Sequence, residues 1–305
     1  MKFGVNILNF GRYATPEHLA GWAAFAEERG FHSAMISDHI AVTPDVAAQY
    51  PAPFYDPFAT LAWLAGQTSR VELGTTVAVL PYRHPLATAR TVANIDNFSG
   101  GRMILGVGVS WPQQEFAALG VPFGERGAIA DEYLEAIIGA WTHDTASFEG
   151  RFASYTDVAT EPRPVRRPHP PVWVGGASKA AMRRAVRFGQ AWHPVYPPLA
   201  WLREEGLPAL RALADQEGRP VPAFAPRIRL EVAGRPLPDA ERRAGEGSIE
   251  QIRADLEELA AMGAEHVLFD TYRGAPDLLR PPEEEQRMLA EVADKVVDLE
   301  AGTLR

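Results

Sequence analysis

The sequence predicts an α/β protein, a (β/α)8 TIM barrel with an insertion over the C-terminal mouth. Strand-like and helix-like segments alternate eight times, which is typical of a parallel sheet with helices outside it. The chain of 305 residues suits one barrel, which usually takes about 250. No repeat, low-complexity tract or Gly/Ser linker divides it, so we predict a single domain over residues 1–305.

In the first half of the chain, short apolar runs alternate with helical stripes that begin at capping residues. Thr15 and Asp56 each precede a proline, and Gly30 ends the first helix. The strands predicted here are residues 2–8, 33–37, 71–79 and 103–109.

The second half keeps the alternation but begins with a different segment. Residues 142–171 are proline-rich towards their end and carry a hairpin signal at 147–152, so we expect them to form the insertion over the barrel rim. Ser248 and Gln251 have the spacing of a capping box. The strands predicted here are residues 172–174, 191–195, 227–232 and 266–269.

Composition excludes several classes of function. The net charge of −9 argues against nucleic acid, which requires a basic surface. The absence of cysteine excludes disulfides, thiolate metal sites and cysteine nucleophiles, and no His-x-x-x-His spacing suggests a metal site. We see no apolar run of membrane-spanning length and no signal segment, so we expect a cytoplasmic protein without membrane contact.

Two glycines inside the fourth strand, Gly106 and Gly108, are unusual because glycine weakens a strand. They either relieve crowding or let a ligand approach, and the residues alone do not separate the two. Ser110 and Trp111 follow at the carboxyl end of the strand, where active sites of such barrels lie. This stretch predicts one wall of a pocket for a flat molecule.

Two further sites at strand ends have both a functional and a structural interpretation. Gly175, Gly176, Ala177 and Ser178 join a strand to a helix; they are either a phosphate-binding loop or an ordinary helix cap. Asp38-His39 is the best acid–base candidate, although a lone histidine is often structural. For His193, also near a strand end, we favour a role in the pocket wall over catalysis.

Taken together, these motifs resemble the bacterial luciferase-like monooxygenase superfamily, and within it the deazaflavin (coenzyme F-420)-dependent oxidoreductases. The resemblance covers most of the chain to about Pro194. The segments that carry it are residues 26–31, 37–39, 56–58, 73–77, 80–85, 99–102, 105–108, 111–116 and 170–176.

The resemblance implies a reduced deazaflavin or flavin bound at the C-terminal mouth of the barrel. His39 matches the histidine beside the cofactor ring, which we take as the catalytic residue. Thr76-Val77 matches a non-proline cis peptide in a bulge behind the ring. The implied cofactor-binding residues are Asp38, Thr76, Val77, Val107, Gly108, Val109, Ser110, Gly175, Gly176 and Ala177.

The substrate side of the site is less well defined by sequence. Relatives that act on sugar phosphates carry a glutamate where this chain has Trp111, which makes a sugar phosphate a doubtful substrate. Candidate substrate-binding residues are Asn6, Phe10, Tyr55, Trp111 and Trp192, and each aromatic side chain among them could equally pack at the rim.

The resulting hypothesis is hydride transfer between coenzyme F-420 and a small organic substrate, with His39 orienting the ring or handling the coupled proton. The first alternative is an FMN-dependent monooxygenase that uses oxygen. A second is a non-catalytic flavin-binding barrel. We also expect a homodimer and a separate flavin or F-420 reductase that supplies reduced cofactor.

Overall fold

Helices and parallel strands alternate along the computed structural model, which describes residues 1–240 and 242–305. The helices are α1 Pro16–Arg29, α2 Pro44–Ala47, α3 Pro57–Ala65, α4 Pro85–Ser99, α5 Gln113–Ala118, α6 Arg126–Thr142, α7 Lys179–Phe188, α8 Leu199–Trp201, α9 Leu207–Glu217, α10 Ile249–Ala261 and α11 Pro282–Lys295. A π-helical turn, Leu202–Gly206, joins α8 to α9.

The strands form one large parallel sheet and three small two-stranded sheets. They are β1 Lys2–Ile7, β2 Ser33–Ile36, β3 Glu72–Thr75, β4 Ala78–Val79, β5 Met103–Gly108, β6 Thr145–Glu149, β7 Ser154–Ala159, β8 Val172–Gly175, β9 Ala191–His193, β10 Ala223–Phe224, β11 Arg227–Arg229, β12 Glu231–Val232, β13 Glu246–Gly247, β14 His266–Asp270, β15 Val297–Asp298 and β16 Thr303–Leu304. The order in the large sheet is β10-β9-β8-β5-β3-β2-β1-β14-β11.

The large sheet closes into a barrel through one short segment. Strands β10 and β11, at opposite ends of the sheet order, both belong to the segment of residues 223–229. Strand β10 pairs with β9 and β11 pairs with β14, so this segment joins the two ends of the sheet. Parallel bridges from Val195 to Arg227 and from Phe224 to Ala264 continue the pairing on both sides. The predicted seventh strand therefore begins four residues earlier than expected, and the predicted TIM barrel is confirmed.

Two layers of apolar side chains hold the barrel together. Phe3, Val5 and Ile7 of β1 are fully buried in the large cluster between the strands and the helices, whereas Met35 and Ile104 belong to a small cluster inside the ring of strands. Burial of one such side chain stabilises the fold by about 1.5–3 kcal/mol. Across residues 1–240 and 242–305, no helix combines the length and the apolar character that a bilayer span requires.

Local capping signals begin the helices where the sequence predicts. The Thr15 hydroxyl accepts a hydrogen bond from the His18 N–H at 3.2 Å, and Asp56 accepts one from the Ala59 N–H at 2.9 Å. Ser248 and Gln251 form both hydrogen bonds of a capping box. Each cap contributes about 1 kcal/mol.

The inserted segment forms the expected hairpin, which is anchored on helix α6. Strands β6 and β7 pair antiparallel, and Glu132 of α6 accepts hydrogen bonds from backbone N–H groups in the hairpin turn at 2.7–2.9 Å. The Tyr155 hydroxyl donates to the Ala136 carbonyl of the same helix at 3.1 Å. These contacts anchor the hairpin on α6.

Glu285 of α11 is a buried carboxyl group that makes stability depend on pH. It is 2% exposed, accepts a hydrogen bond from the Thr271 hydroxyl at 3.0 Å, and burial raises its pKa to about 8. A carboxyl whose folded-state pKa is raised stabilises the fold below its unfolded pKa of about 4.5, and this contribution is lost as pH rises through 8. The unionised carboxyl is therefore the form that the folded chain favours.

We expect Glu285→Gln to remove this pH dependence. Relative to wild type, the variant should gain about 2–4 kcal/mol of unfolding free energy between pH 5 and pH 8. Urea denaturation at both pH values measures the gain. Glu284→Gln, at an exposed position one residue earlier, is the control and should show no change. A constant difference between Glu285→Gln and wild type would contradict the assignment.

Candidate active site

A cavity of about 240 Å³ opens at the carboxyl ends of the barrel strands. Its lining residues are Ser37, Asp38, His39, Tyr50, Thr76, Val77, Val79, Ser110, Trp111, Val195 and Arg227. Six of these were predicted from the sequence as site residues: Asp38, His39, Thr76, Val77, Ser110 and Trp111. A larger groove of about 590 Å³ adjoins the cavity through Val195.

A buried carboxylate holds His39 in this wall. The His39 Nδ1 lies 2.7 Å from Oε2 of Glu115, a fully buried residue of α5. Glu115 Oε1 accepts hydrogen bonds from the N–H groups of Ile40 (2.7 Å) and Ala41 (3.0 Å), and the Tyr82 hydroxyl donates to Oε2 at 2.8 Å. Because an ionised carboxylate only accepts, Nδ1 carries the hydrogen in this pair, and Nε2 is the nitrogen that can exchange a proton with a bound molecule.

The surroundings of Glu115 keep it ionised at neutral pH. Burial alone would raise its pKa, but the hydrogen bond and charge of His39, the Ala41 N–H and the Tyr82 hydroxyl together hold the pKa of Glu115 below its ordinary value. Burial and the neighbouring carboxylate raise the pKa of Tyr82, so its hydroxyl remains a donor. The His39–Glu115 pair is thus a fixed imidazole backed by a negative charge.

Aromatic rings surround the His39 imidazole and restrict its rotation. The ring centroids of Tyr50 and Phe54 each lie 5.3 Å from that of His39, and Trp111 meets it edge-on at 6.4 Å. Trp111 remains 41% exposed, whereas His39 is 7% exposed. The imidazole is therefore held in place, with an accessible aromatic surface beside it.

The carboxylate of Asp38, next to His39, accepts hydrogen bonds from other residues of the protein. Arg83 donates to both of its carboxylate oxygens, at 2.7 and 2.9 Å, and the Val79 N–H donates at 2.8 Å. Burial raises the pKa of Asp38, and the Arg83 guanidinium opposes that rise. Asp38 therefore anchors β4 and Arg83, and its carboxylate is occupied by these contacts.

The predicted strand 71–79 is divided by the cis peptide between Thr76 and Val77, which the resemblance implied. A Cβ added to Gly108 would lie 2.6 Å from Val77 Cγ2, and one added to Gly175 would lie 2.9 Å from Val77 Cγ1. At Gly106 an added Cβ would lie 1.9 Å from the Thr75 carbonyl oxygen. Of the two interpretations that the sequence left open, crowding relief is therefore the one supported at Gly106 and Gly108.

A buried ion pair supports the bulge from below. Arg227 Nε lies 2.9 Å from Oδ2 of Asp270, and Arg227 Nη1 donates to the Thr76 carbonyl at 2.7 Å. The Asn6 amide donates to Asp270 Oδ1 at 3.0 Å, and the Tyr196 hydroxyl donates to Oδ2. Burial alone would raise the pKa of Asp270, but the charge of Arg227 and the hydrogen bonds from Tyr196, Asn6 and the Tyr272 N–H together lower it. The cluster links five parts of the barrel at the cavity floor.

His193 belongs to the same floor as a neutral imidazole. Its Nδ1 donates to the Ala225 carbonyl at 2.5 Å, and its Nε2 lies 2.9 Å from the Thr76 hydroxyl. Burial lowers its pKa to about 4. His193 therefore holds the bulge in place and carries no charge at neutral pH.

The structure places four predicted substrate-binding residues outside the cavity lining. Asn6 bonds Asp270, and Phe10 packs among aromatic rings that include Phe54. Tyr55 is half-buried against the large core. Trp192 is fully buried and donates from Nε1 to the Gly176 carbonyl at 2.8 Å. Of that set, Trp111 lines the cavity.

The remaining predicted cofactor-binding residues differ in accessibility. Val107 is fully buried in the core, whereas Val109 and Ser110 are half-buried. Ser110 has a φ of 58°, a left-handed conformation that favours glycine. Its backbone therefore turns sharply at the edge of the cavity.

The Gly175–Ala177 loop leads into an exposed helix N-terminus. Gly176 has a φ of 106°, and the Ser178 hydroxyl accepts a hydrogen bond from the Ala181 N–H at 3.2 Å, so the helix-cap interpretation is confirmed. Lys179 begins α7 and is exposed. The cap leaves the helix N-terminus open to solvent, so an anion could also reach it.

Sequence reasoning missed Glu115, Tyr50 and Arg227, whose side chains shape this site, and three further lining residues, Ser37, Val79 and Val195. Glu115 lies in the stretch 111–116 that carried the resemblance, but nothing local shows that it bonds a histidine 76 positions earlier. Tyr50 and Arg227 carry no motif. The position of Asp270 at the end of the eighth strand was predictable, but its pairing with Arg227 was not.

The fold and the cavity define a (β/α)8-barrel protein with a carboxylate-bonded imidazole in a cavity at the carboxyl ends of its strands. The chain belongs to the luciferase-like monooxygenase family, whose sequence profile matches residues 1–298. It is thereby placed in a family of oxidoreductases and monooxygenases, and the suspected resemblance is confirmed.

Individual relatives and solved structures differ in their cofactors. The chain is 38% identical, over 112 residues, to the FMNH2-dependent dimethylsulfone monooxygenase of Pseudomonas putida, which covers 36% of this chain and 31% of the relative. A monooxygenase from Streptomyces bottropensis shares the fold with a TM-score of 0.80 at 24% identity, covering 96% of this chain and 98% of that one. The coenzyme F-420-dependent tetrahydromethanopterin reductase from Methanopyrus kandleri has a TM-score of 0.77 at 18% identity, covering 96% and 97%.

Proposed function

We propose that this protein transfers a hydride between coenzyme F-420 and a small organic substrate at the C-terminal mouth of the barrel. The observation that carries the proposal is the His39–Glu115 pair, which fixes an imidazole in the wall of the cavity. The fold shared with an F-420-dependent reductase supports the choice of cofactor.

The residues present fit a flat cofactor with an anionic tail. The bulge at Thr76-Val77 would support the ring, and the backbone of Ser110 borders the same cavity. Gly176 and Ala177, at the N-terminus of α7 beside Lys179, would receive a phosphate. A cavity of about 240 Å³ is smaller than ligand pockets usually are, so part of the molecule would extend into the open mouth.

When bound, a deazaflavin would supply a ring carbon able to give or accept a hydride, that is, two electrons with one hydrogen nucleus. The protein contributes geometry and the accompanying proton. When a substrate carbonyl accepts the hydride at carbon, His39 Nε2 donates a proton to its oxygen; in the reverse direction Nε2 removes the hydroxyl proton. The Glu115 carboxylate stabilises the charged imidazole between these steps.

Titration of the purified chain with F-420 tests the cofactor assignment. We expect the visible absorbance of F-420 to change on binding, with a dissociation constant below about 100 μM, within the range in which enzymes hold small molecules. FMN titrated in parallel is the control and should bind more weakly. Tighter binding of FMN, or no binding of F-420 in this range, would exclude the proposal.

The alternative is an FMN-dependent monooxygenase, which the match to the Pseudomonas putida enzyme favours. It would consume oxygen in proportion to substrate, whereas hydride transfer to or from F-420 would continue unchanged under anaerobic conditions. An oxygen electrode distinguishes the two. Binding without any turnover would instead indicate a non-catalytic barrel.

We further propose that the protein works in the cytoplasm as a homodimer and receives its reduced cofactor from a separate reductase. Most symmetric oligomers are dimers. Light scattering on the purified chain measures its mass directly.

A further inference from the structure

Exposed apolar side chains surround the mouth of the cavity that contains His39. Ile40 is 43% exposed, Trp111 41% and Val195 39%. Trp111 and Val195 line the cavity itself, and Ile40 follows His39 in the chain. Apolar surface of this kind around a pocket is typical of a binding site for an apolar molecule.

The charged groups that line the same cavity are paired within the protein. Asp38 is held by Arg83 at 2.7 Å. Arg227 is held by Asp270, and both are buried. Among the described residues of the lining, neither charge therefore remains available for a carboxylate or phosphate on a substrate. An anion placed here would lose its hydration and meet only the His39 imidazole, whose charge the Glu115 carboxylate already balances, so its binding is costly.

We propose that the substrate is a neutral molecule with an apolar or aromatic body, carrying the reacting carbonyl or hydroxyl group. Its ring packs on the exposed surface of Trp111, and its oxygen meets Nε2 of His39. This inference rests on the proposed function for the reaction at that oxygen. The binding preference itself follows from the cavity wall and can be measured without cofactor.

Acetophenone and benzoylformate form a matched pair of probes, since both carry a phenyl ketone and the second adds a carboxylate. Titration calorimetry with the full chain should show acetophenone binding at least tenfold more tightly than benzoylformate. Glucose 6-phosphate, as a polar anion, should bind more weakly than both.

Trp111→Ala should weaken acetophenone binding about tenfold, because the aromatic contact is lost. Trp63→Ala is the matched control: Trp63 lies on α3, is also 41% exposed, and does not line the cavity, so its removal should leave binding unchanged. Because both tryptophans are exposed, we expect neither replacement to disturb the fold, and circular dichroism verifies this.

The proposal is overturned if benzoylformate binds as tightly as acetophenone, if acetophenone shows no binding, or if Trp111→Ala leaves its affinity unchanged. These results are separate from those of the cofactor titration. Binding of F-420 together with a preference for benzoylformate would retain the proposed function and reject this substrate class. The expected preference without F-420 binding would do the reverse.

Discussion

Replacement of Asp270 by alanine is expected to lower the free energy of unfolding by about 3–5 kcal/mol. Arg227 and Asp270 are buried together, and the charge of Arg227 would be left without its partner. Asn6 and Tyr196 would also lose their acceptor. Urea denaturation at pH 7, followed by circular dichroism, measures the change.

An exposed ion pair provides the control for this experiment. Asp294 pairs with Arg29 on the surface, and its side chain is 65% exposed. Asp294→Ala should therefore cost less than about 1 kcal/mol. A loss of that small size for Asp270→Ala would mean that the buried pair does not hold the barrel floor. Asp270→Asn keeps the shape of the side chain and should give an intermediate loss, because the charge of Arg227 remains unpaired.

Replacement of His39 by alanine is expected to reduce kcat by about 10²–10⁴-fold, the range that general acid–base catalysis contributes. The reason is that Nε2 of His39 is the proton-exchanging atom at the cavity wall. The rate is measured from the visible absorbance of F-420 with an alcohol or ketone that the wild-type protein converts. The dissociation constant of F-420 should change less than threefold, which separates a chemical role from loss of the site.

Two further variants show whether the carboxylate behind His39 matters. Glu115→Gln keeps the size of the side chain but removes its charge, and should reduce kcat about 10–100-fold, as loss of an orienting partner does in comparable sites. His143→Ala, at an exposed position outside the cavity, should leave kcat unchanged. If His39→Ala retained wild-type kcat, the acid–base assignment would be rejected.

Features that depend on a few adjacent residues were predictable from the sequence. The alternation of strands and helices, the caps at Thr15, Asp56 and Ser248, and the hairpin of residues 142–171 all follow from local spacing. The location of the candidate site at the strand ends was also predictable, because parallel strands present their carboxyl ends to one side of a barrel.

The direction of each side chain was harder to predict. Successive residues of a strand point to opposite faces, so in β9 Trp192 packs against Phe224 and Trp201 while His193 faces the barrel interior. The sequence marks both as bulky residues near a strand end, but the register of the closed sheet assigns the faces. The hairpin likewise depends on its partners on α6, which local sequence does not reveal.

By itself the sequence determined the barrel, its capped helices, the family and the position of His39 at a strand end, because these depend on periodicity and short motifs. Only the tertiary structure decided which groups act together. Glu115 bonds His39 across 76 positions, Asp270 pairs with Arg227 across 43, and His193 reaches Thr76 across 117. Such contacts exist only once the barrel has closed, since closure brings the ends of distant strands within hydrogen-bonding distance.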